Sequence, residues 1–238
     1  MKAPRLGLLL LGTIALASCG QQLSAPTAAT PAQSSPVAAT PGTGSVAAQI
    51  AAYATRPELQ DADSQAILKD HASDPLMLSA LQEAYGQAAA PLDAAALAAQ
   101  TSGQMPLSAQ ATGKAGYAQS VAWGSVSNYR YQKAHPRYSG LNWGSDGCSA
   151  PSGLGLGYRD TFRPACDVHD FGYGNLPKLT GKLYWPYNKA RTDSAFLSNM
   201  RAICGAKSIF TRPACYVAAQ AYYKAVDIGG WPAWIRNG

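Results

Sequence analysis

The chain has 238 residues, five cysteines and a formal net charge of +6. Its N-terminal apolar run, Leu6 to Ala17, is too short to span a bilayer as a stable anchor, which excludes a membrane-spanning helix there. From Tyr117 onward fourteen Lys and Arg face six Asp and no Glu, a net +8. That excess points to an anionic partner, whether a phospholipid surface, a nucleic acid or a cell-wall polymer, and charge alone does not choose among them.

In chain order, the basic start Met1-Lys2-Ala3-Pro4-Arg5 and the apolar run after it read as an export signal over residues 1–19. The run closes on Leu16-Ala17-Ser18-Cys19, which resembles the lipobox at which bacterial lipoproteins are cut and lipidated on the cysteine. Cys19 is then the expected lipidation site and mature N-terminus, on a secreted or envelope-anchored protein; simple cleavage nearby is the alternative. Residues 20–56, rich in Ala, Pro, Thr and Ser, are expected to be a disordered linker. Residues 57–116 carry scattered Leu and Ile at partly helical spacing and are expected to form a helical pro-region or spacer. Residues 117–238 hold all five Trp and the four remaining cysteines, so the folded domain is placed there. Four cysteines pair completely, and an oxidising compartment makes two disulfides the default.

Within that domain, Cys166, His169, Asp170 and Tyr173 fall at i, i+3, i+4 and i+7 after Pro164, so they share one face of a helix near Pro164 to Asn175. A thiol, an imidazole, a carboxylate and a phenol aligned in this way are not a packing stripe. Upstream, Asp146 lies two residues before Cys148. If Cys148 pairs with Cys166, Asp146 is drawn toward Asp170, and two converging carboxylates call for a hard cation such as calcium, with the Gly147 carbonyl free to face the same ion. Downstream, Asn188 to Cys204 has helical periodicity with Asp193 on the side expected to be buried, where it needs a partner. His169 on a facing helix suits: a carboxylate on one ring nitrogen leaves the other free to take a proton from water. A third helix is expected from about Pro213 to Ile228, with little sheet anywhere.

Taken together, Asp146-Gly147-Cys148, Cys166-x-x-His169-Asp170-Phe171-Gly172-Tyr173 and Arg191-x-Asp193-Ser194-Ala195-Phe196 resemble the prokaryotic-type (bacterial and fungal) phospholipase A2 family. The likeness extends over nearly all of Tyr117 to Ile228 and is silent on residues 20–116. It implies an all-α domain with two long antiparallel helices and disulfides Cys148 with Cys166 and Cys204 with Cys215. It further implies calcium on Asp146, Gly147 and Asp170, His169 as general base, Asp193 as its orienting carboxylate, and Tyr173 in support. The expected reaction is calcium-dependent hydrolysis of the sn-2 acyl ester of glycerophospholipids by a monomer at a membrane or micelle surface, with no nucleic-acid partner. The alternative is a tethered, calcium-dependent lipid-binding module without catalysis. Gly174, where relatives often carry Arg, leaves one head-group contact in doubt. The Gly153-Leu154-Gly155-Leu156-Gly157 run lacks the ending of a nucleotide loop and is expected to be a flexible loop. Trp231 and Trp234 either meet lipid or pack back on the domain.

Overall fold

The computed structural model describes residues 44–87, 92–102, 111–148 and 157–238; among them there are ten helices and no strand. The all-α expectation therefore holds. The export signal, Cys19, residues 20–43 of the linker and the glycine run up to Leu156 lie outside the described residues.

The linker expected to run to residue 56 is interrupted by a helix, α1, at Val46–Ala54. Ser45 caps it by accepting from the Ala48 amide at 3.2 Å, and Ile50 and Tyr53 are buried. Alanine propagates a helix readily, and two apolar side chains on one face suffice to dock it on its neighbours. Three further helices follow: α2 (Ala62–Asp70), α3 (Pro75–Ala84) and α4 (Ala94–Ser102). Asp61 and Asp74 cap α2 and α3, accepting from the amides of Ser64 at 2.8 Å and Leu76 at 2.9 Å.

After α5 (Gly113–Ala122) and α6 (Val126–Ala134) come the two long helices, α7 (Arg159–Leu179) and α8 (Trp185–Gly205), 21 residues each and joined by a 3-10 turn at Lys182–Tyr184. The short connection turns the chain back, so α7 and α8 pack antiparallel. They approach closely because residue 172 is glycine: a Cβ there would lie 2.6 Å from Thr192 Cγ2. Helix α7 starts five residues before Pro164, which is thus inside the helix and not at its first turn. Proline so near a helix start forfeits one amide bond, and Phe162, with no exposed surface, holds that turn on the core.

Helices α9 (Arg212–Gly229) and α10 (Trp231–Arg236) complete the fold. The disulfides are Cys148–Cys166, with Cα atoms 5.3 Å apart, and Cys204–Cys215, at 5.5 Å. The first ties the loop before α7 to α7, and the second clamps the α8–α9 corner.

Helices α1–α4 share a core with the second half of the chain. Leu59, Met77 and Leu81 join Phe162, Phe196, Met200 and Val217 in one apolar cluster. A polar contact crosses the same boundary. The buried Arg201 of α8 donates to the Leu76 carbonyl at 2.9 Å and pairs with Glu83 at 3.4 Å, while the Tyr216 hydroxyl donates to Glu83 at 2.8 Å. No described helix is long and apolar enough to cross a membrane.

Candidate active site

Helix α7 points His169 at α8, where Asp193 meets it: His169 Nε2 lies 2.8 Å from Asp193 Oδ1. Asp193 has no exposed surface and His169 only 7 %. The ring is held between Tyr173 and Phe196, with centroids 4.3 and 4.7 Å away. With Nε2 facing the carboxylate, Nδ1 is the nitrogen left to accept a proton.

Asp193 has two further partners. The Tyr173 hydroxyl donates to Oδ1 at 2.9 Å, and Lys189 Nζ donates to Oδ2 at 2.7 Å. Burial alone would push the Asp193 carboxyl up; the hydrogen bond and charge of His169, with Lys189 added, outweigh it and hold the group below the usual carboxylate range. Burial and the Asp193 charge push the Tyr173 phenol up, so it stays a donor.

Lys189 is missing from the sequence reading. It is 2 % exposed, and besides Asp193 it donates to the carbonyls of Val226 at 3.0 Å and Asp227 at 3.1 Å, linking the dyad to the end of α9. Its i, i+4 spacing to Asp193 is present in the sequence but does not distinguish it from a solvated surface pair.

Beside the dyad, Cys148–Cys166 brings Asp146 to Asp170. The Asp146 amide donates to Asp170 Oδ2 at 3.1 Å, and the Ser145 hydroxyl lies 2.8 Å from the same oxygen and 2.6 Å from Asp167 Oδ1. Burial, with Asp146 a lesser contributor, pushes the Asp170 carboxyl up despite the Ser145 hydrogen bond. The Gly147 carbonyl is differently engaged: it accepts from Arg159 Nε at 3.1 Å. Gly147 (φ 78°) and Cys148 (φ 68°) are both left-handed, a conformation glycine takes freely and cysteine does not, so the disulfide sits on a constrained loop end. Among the described residues no group of three or more His, Cys, Asp or Glu is placed to hold a metal ion, so any cation here would rest on the carboxylate pair with other oxygens completing its shell.

An apolar cleft of about 240 Å³ opens on the dyad, lined by His169, Phe196, Tyr222 and Val226, with Asp146 and Asp170 on its wall. Of the two tail tryptophans, Trp234 is fully buried against Tyr173, centroids 5.0 Å apart, and Trp231 is partly exposed. The tail packs back on the domain.

Two disulfide-stapled antiparallel helices present a buried imidazole–carboxylate pair to an apolar cleft. The family model of prokaryotic phospholipase A2 matches residues 119–230. A secretory phospholipase A2 of Beauveria bassiana (strain ARSEF 2860) is 33% identical over 90 residues, which cover 38% of this chain and 44% of that protein, so the chain spans less than half the length of this curated relative. No solved structure matches significantly. Residues 119–230 are thus similar to the prokaryotic phospholipase A2 family.

Proposed function

We propose that this protein is an exported phospholipase A2 that hydrolyses the sn-2 acyl ester of glycerophospholipids at a lipid surface, releasing a fatty acid and a lysophospholipid. The observation that carries the reading is the dyad: a 7 % exposed His169 with Nε2 on a wholly buried Asp193, next to an apolar cleft. A lipid-binding module has no use for a carboxylate-oriented imidazole.

The cleft takes acyl chains against Phe196, Tyr222 and Val226, which excludes bulk water from the ester. His169 accepts a proton from the attacking water at Nδ1. Asp193 keeps Nε2–H oriented and stabilises the imidazolium that forms, while Tyr173 and Lys189 keep the carboxylate in place. His169 then returns the proton to the leaving alkoxide.

The oxygen donors of Asp146, Asp170 and Ser145 have the chemistry a hard cation takes, and calcium is the cofactor proposed, with Asp146 and Asp170 holding it. Bound there, it would supply positive charge for the ester oxyanion and for the lipid phosphate. The Gly147 carbonyl, which accepts one hydrogen bond from Arg159, has a second lone pair with which to face the same ion. Export is supported by the two disulfides, which persist in oxidising compartments.

Fatty-acid release from mixed phospholipid micelles by the full chain tests the reading. Release is expected with calcium, is expected to stop on chelation, and is expected to fall by about a thousandfold or more in His169→Ala with helicity unchanged. Turnover near wild type in that variant would reject the mechanism.

A further inference from the structure

Helix α10 begins at Trp231, one residue past the end of the family match at 230, yet it forms part of the catalytic cleft. Its anchors are the residues that hold Asp193. Trp234 is buried edge-on to Tyr173, and the Trp231 ring centroid lies 5.4 Å from Lys189 Nζ. At the α9–α10 corner a Cβ on Gly230 would fall 2.3 Å from the Tyr173 hydroxyl, so only glycine lets α10 seat this closely.

The anchoring decides what the rest of α10 faces. Ala233 lines the apolar cleft, and Ala233, Arg236 and Asn237 together line a second groove of about 270 Å³. Ser145, Asp146 and Asp170 line the same groove. Asp146, Asp170, Tyr173 and Ala233 line both spaces, so the apolar cleft continues into a polar groove. Beside Gly174 the groove wall is filled by Asn142, whose side-chain nitrogen lies 2.8 Å from where a Cβ on Gly174 would stand, and Arg236 is the cation among the lining residues. Arg236 is exposed and forms no ion pair among the described residues.

An amphipathic ester with its acyl chains in the cleft therefore extends its polar end into this groove. We propose that Arg236 binds the phosphate of the lipid head group, making α10 the element that recognises the polar end of the substrate. A guanidinium presents paired donors to a phosphate, a geometry that lysine reproduces only as a point charge. This inference rests on the phospholipase reading for the placement of the acyl chains. The carboxylates that also line the groove would repel a phosphate unaided, so the measurement is made with calcium present.

The test is calorimetric binding of a short-chain diether phosphatidylglycerol, which has no ester to cleave, below its micelle concentration. Wild type, Arg236→Gln and Arg236→Lys are compared as full chains. Arg236→Gln is expected to bind about tenfold more weakly and Arg236→Lys to recover part of the loss. On the hydrolysable ester, KM is expected to rise in Arg236→Gln with kcat unchanged. Equal affinity in wild type and Arg236→Gln overturns the assignment. So does inorganic phosphate that displaces the lipid at comparable concentration, because the groove would then be a free-anion site. Binding that depends on Arg236 in a chain that releases no fatty acid supports the head-group site while rejecting the catalytic reading.

Discussion

Lys189 is a cation with all three of its donor hydrogens matched, to Asp193 Oδ2 and to the Val226 and Asp227 carbonyls. A buried ammonium is costly unless it is paired and fully hydrogen-bonded, and here its partner is the dyad carboxylate. The consequence is measurable in acid. Because the folded pKa of Asp193 lies below its unfolded value, the stability it contributes is complete above the unfolded value, about 3.9, and is lost as pH falls through the folded one. Lys189→Met removes one of the charges that lower the folded pKa, so the loss is expected to begin at higher pH. Urea unfolding followed by circular dichroism between pH 3 and 6 should show the acid limb displaced upward; superimposed limbs would mean that the lysine charge does not reach the carboxylate. The dyad itself was legible in the sequence, since His169 and Asp193 fall on the inward faces of two periodic helices. Lys189 was not, because an i, i+4 Lys–Asp pair in a sequence is indistinguishable from a solvated surface pair.

At the scale of elements, the distance between α7 and α8 is set by Gly172 against Thr192. Gly172→Ala puts a methyl 2.6 Å from Thr192 Cγ2 and is expected to cost about 1–3 kcal/mol by overpacking. Thr192→Ser removes that methyl while keeping the hydroxyl that accepts from Trp123 Nε1, so the double variant should regain most of the loss in chemical denaturation. Full additivity of the two changes would place the strain elsewhere. The long helices were readable from periodicity, but the start of α7 was not: Pro164 is a plausible first-turn residue, and only the burial of Phe162 shows that the helix begins earlier. Helix α1 escaped for a related reason. An Ala-rich stretch is as compatible with a linker as with a helix until a surface is found for Ile50 and Tyr53.

For the whole molecule, residues 44–102 are not a separate body ahead of the domain. They supply Leu59, Met77 and Leu81 to the core around α8 and α9, and they supply Glu83 and the Leu76 carbonyl to Arg201. Among the described residues, none that lines the cleft beside His169 comes from this segment. A fragment starting at residue 117 leaves Arg201 and Tyr216 without Glu83 and exposes the apolar face of α9. Its melting temperature is expected to fall by roughly 10 °C or more relative to residues 44–238, or the fragment fails to fold. An unchanged melting temperature would show that the contacts of residues 44–102 add nothing to the stability of the remainder.

The all-α class and the chemical vocabulary of the site are written locally in the chain, in helical period, cysteine number and the His–Asp spacing. Tertiary structure alone decided what depends on distant segments meeting. It put Lys189 under the dyad, turned the Gly147 carbonyl to Arg159, merged residues 44–102 into the core and brought Arg236 of α10 to the groove beside Asp146. In each case burial is set by how the elements pack, even where the partners, like Lys189 and Asp193, are close in sequence.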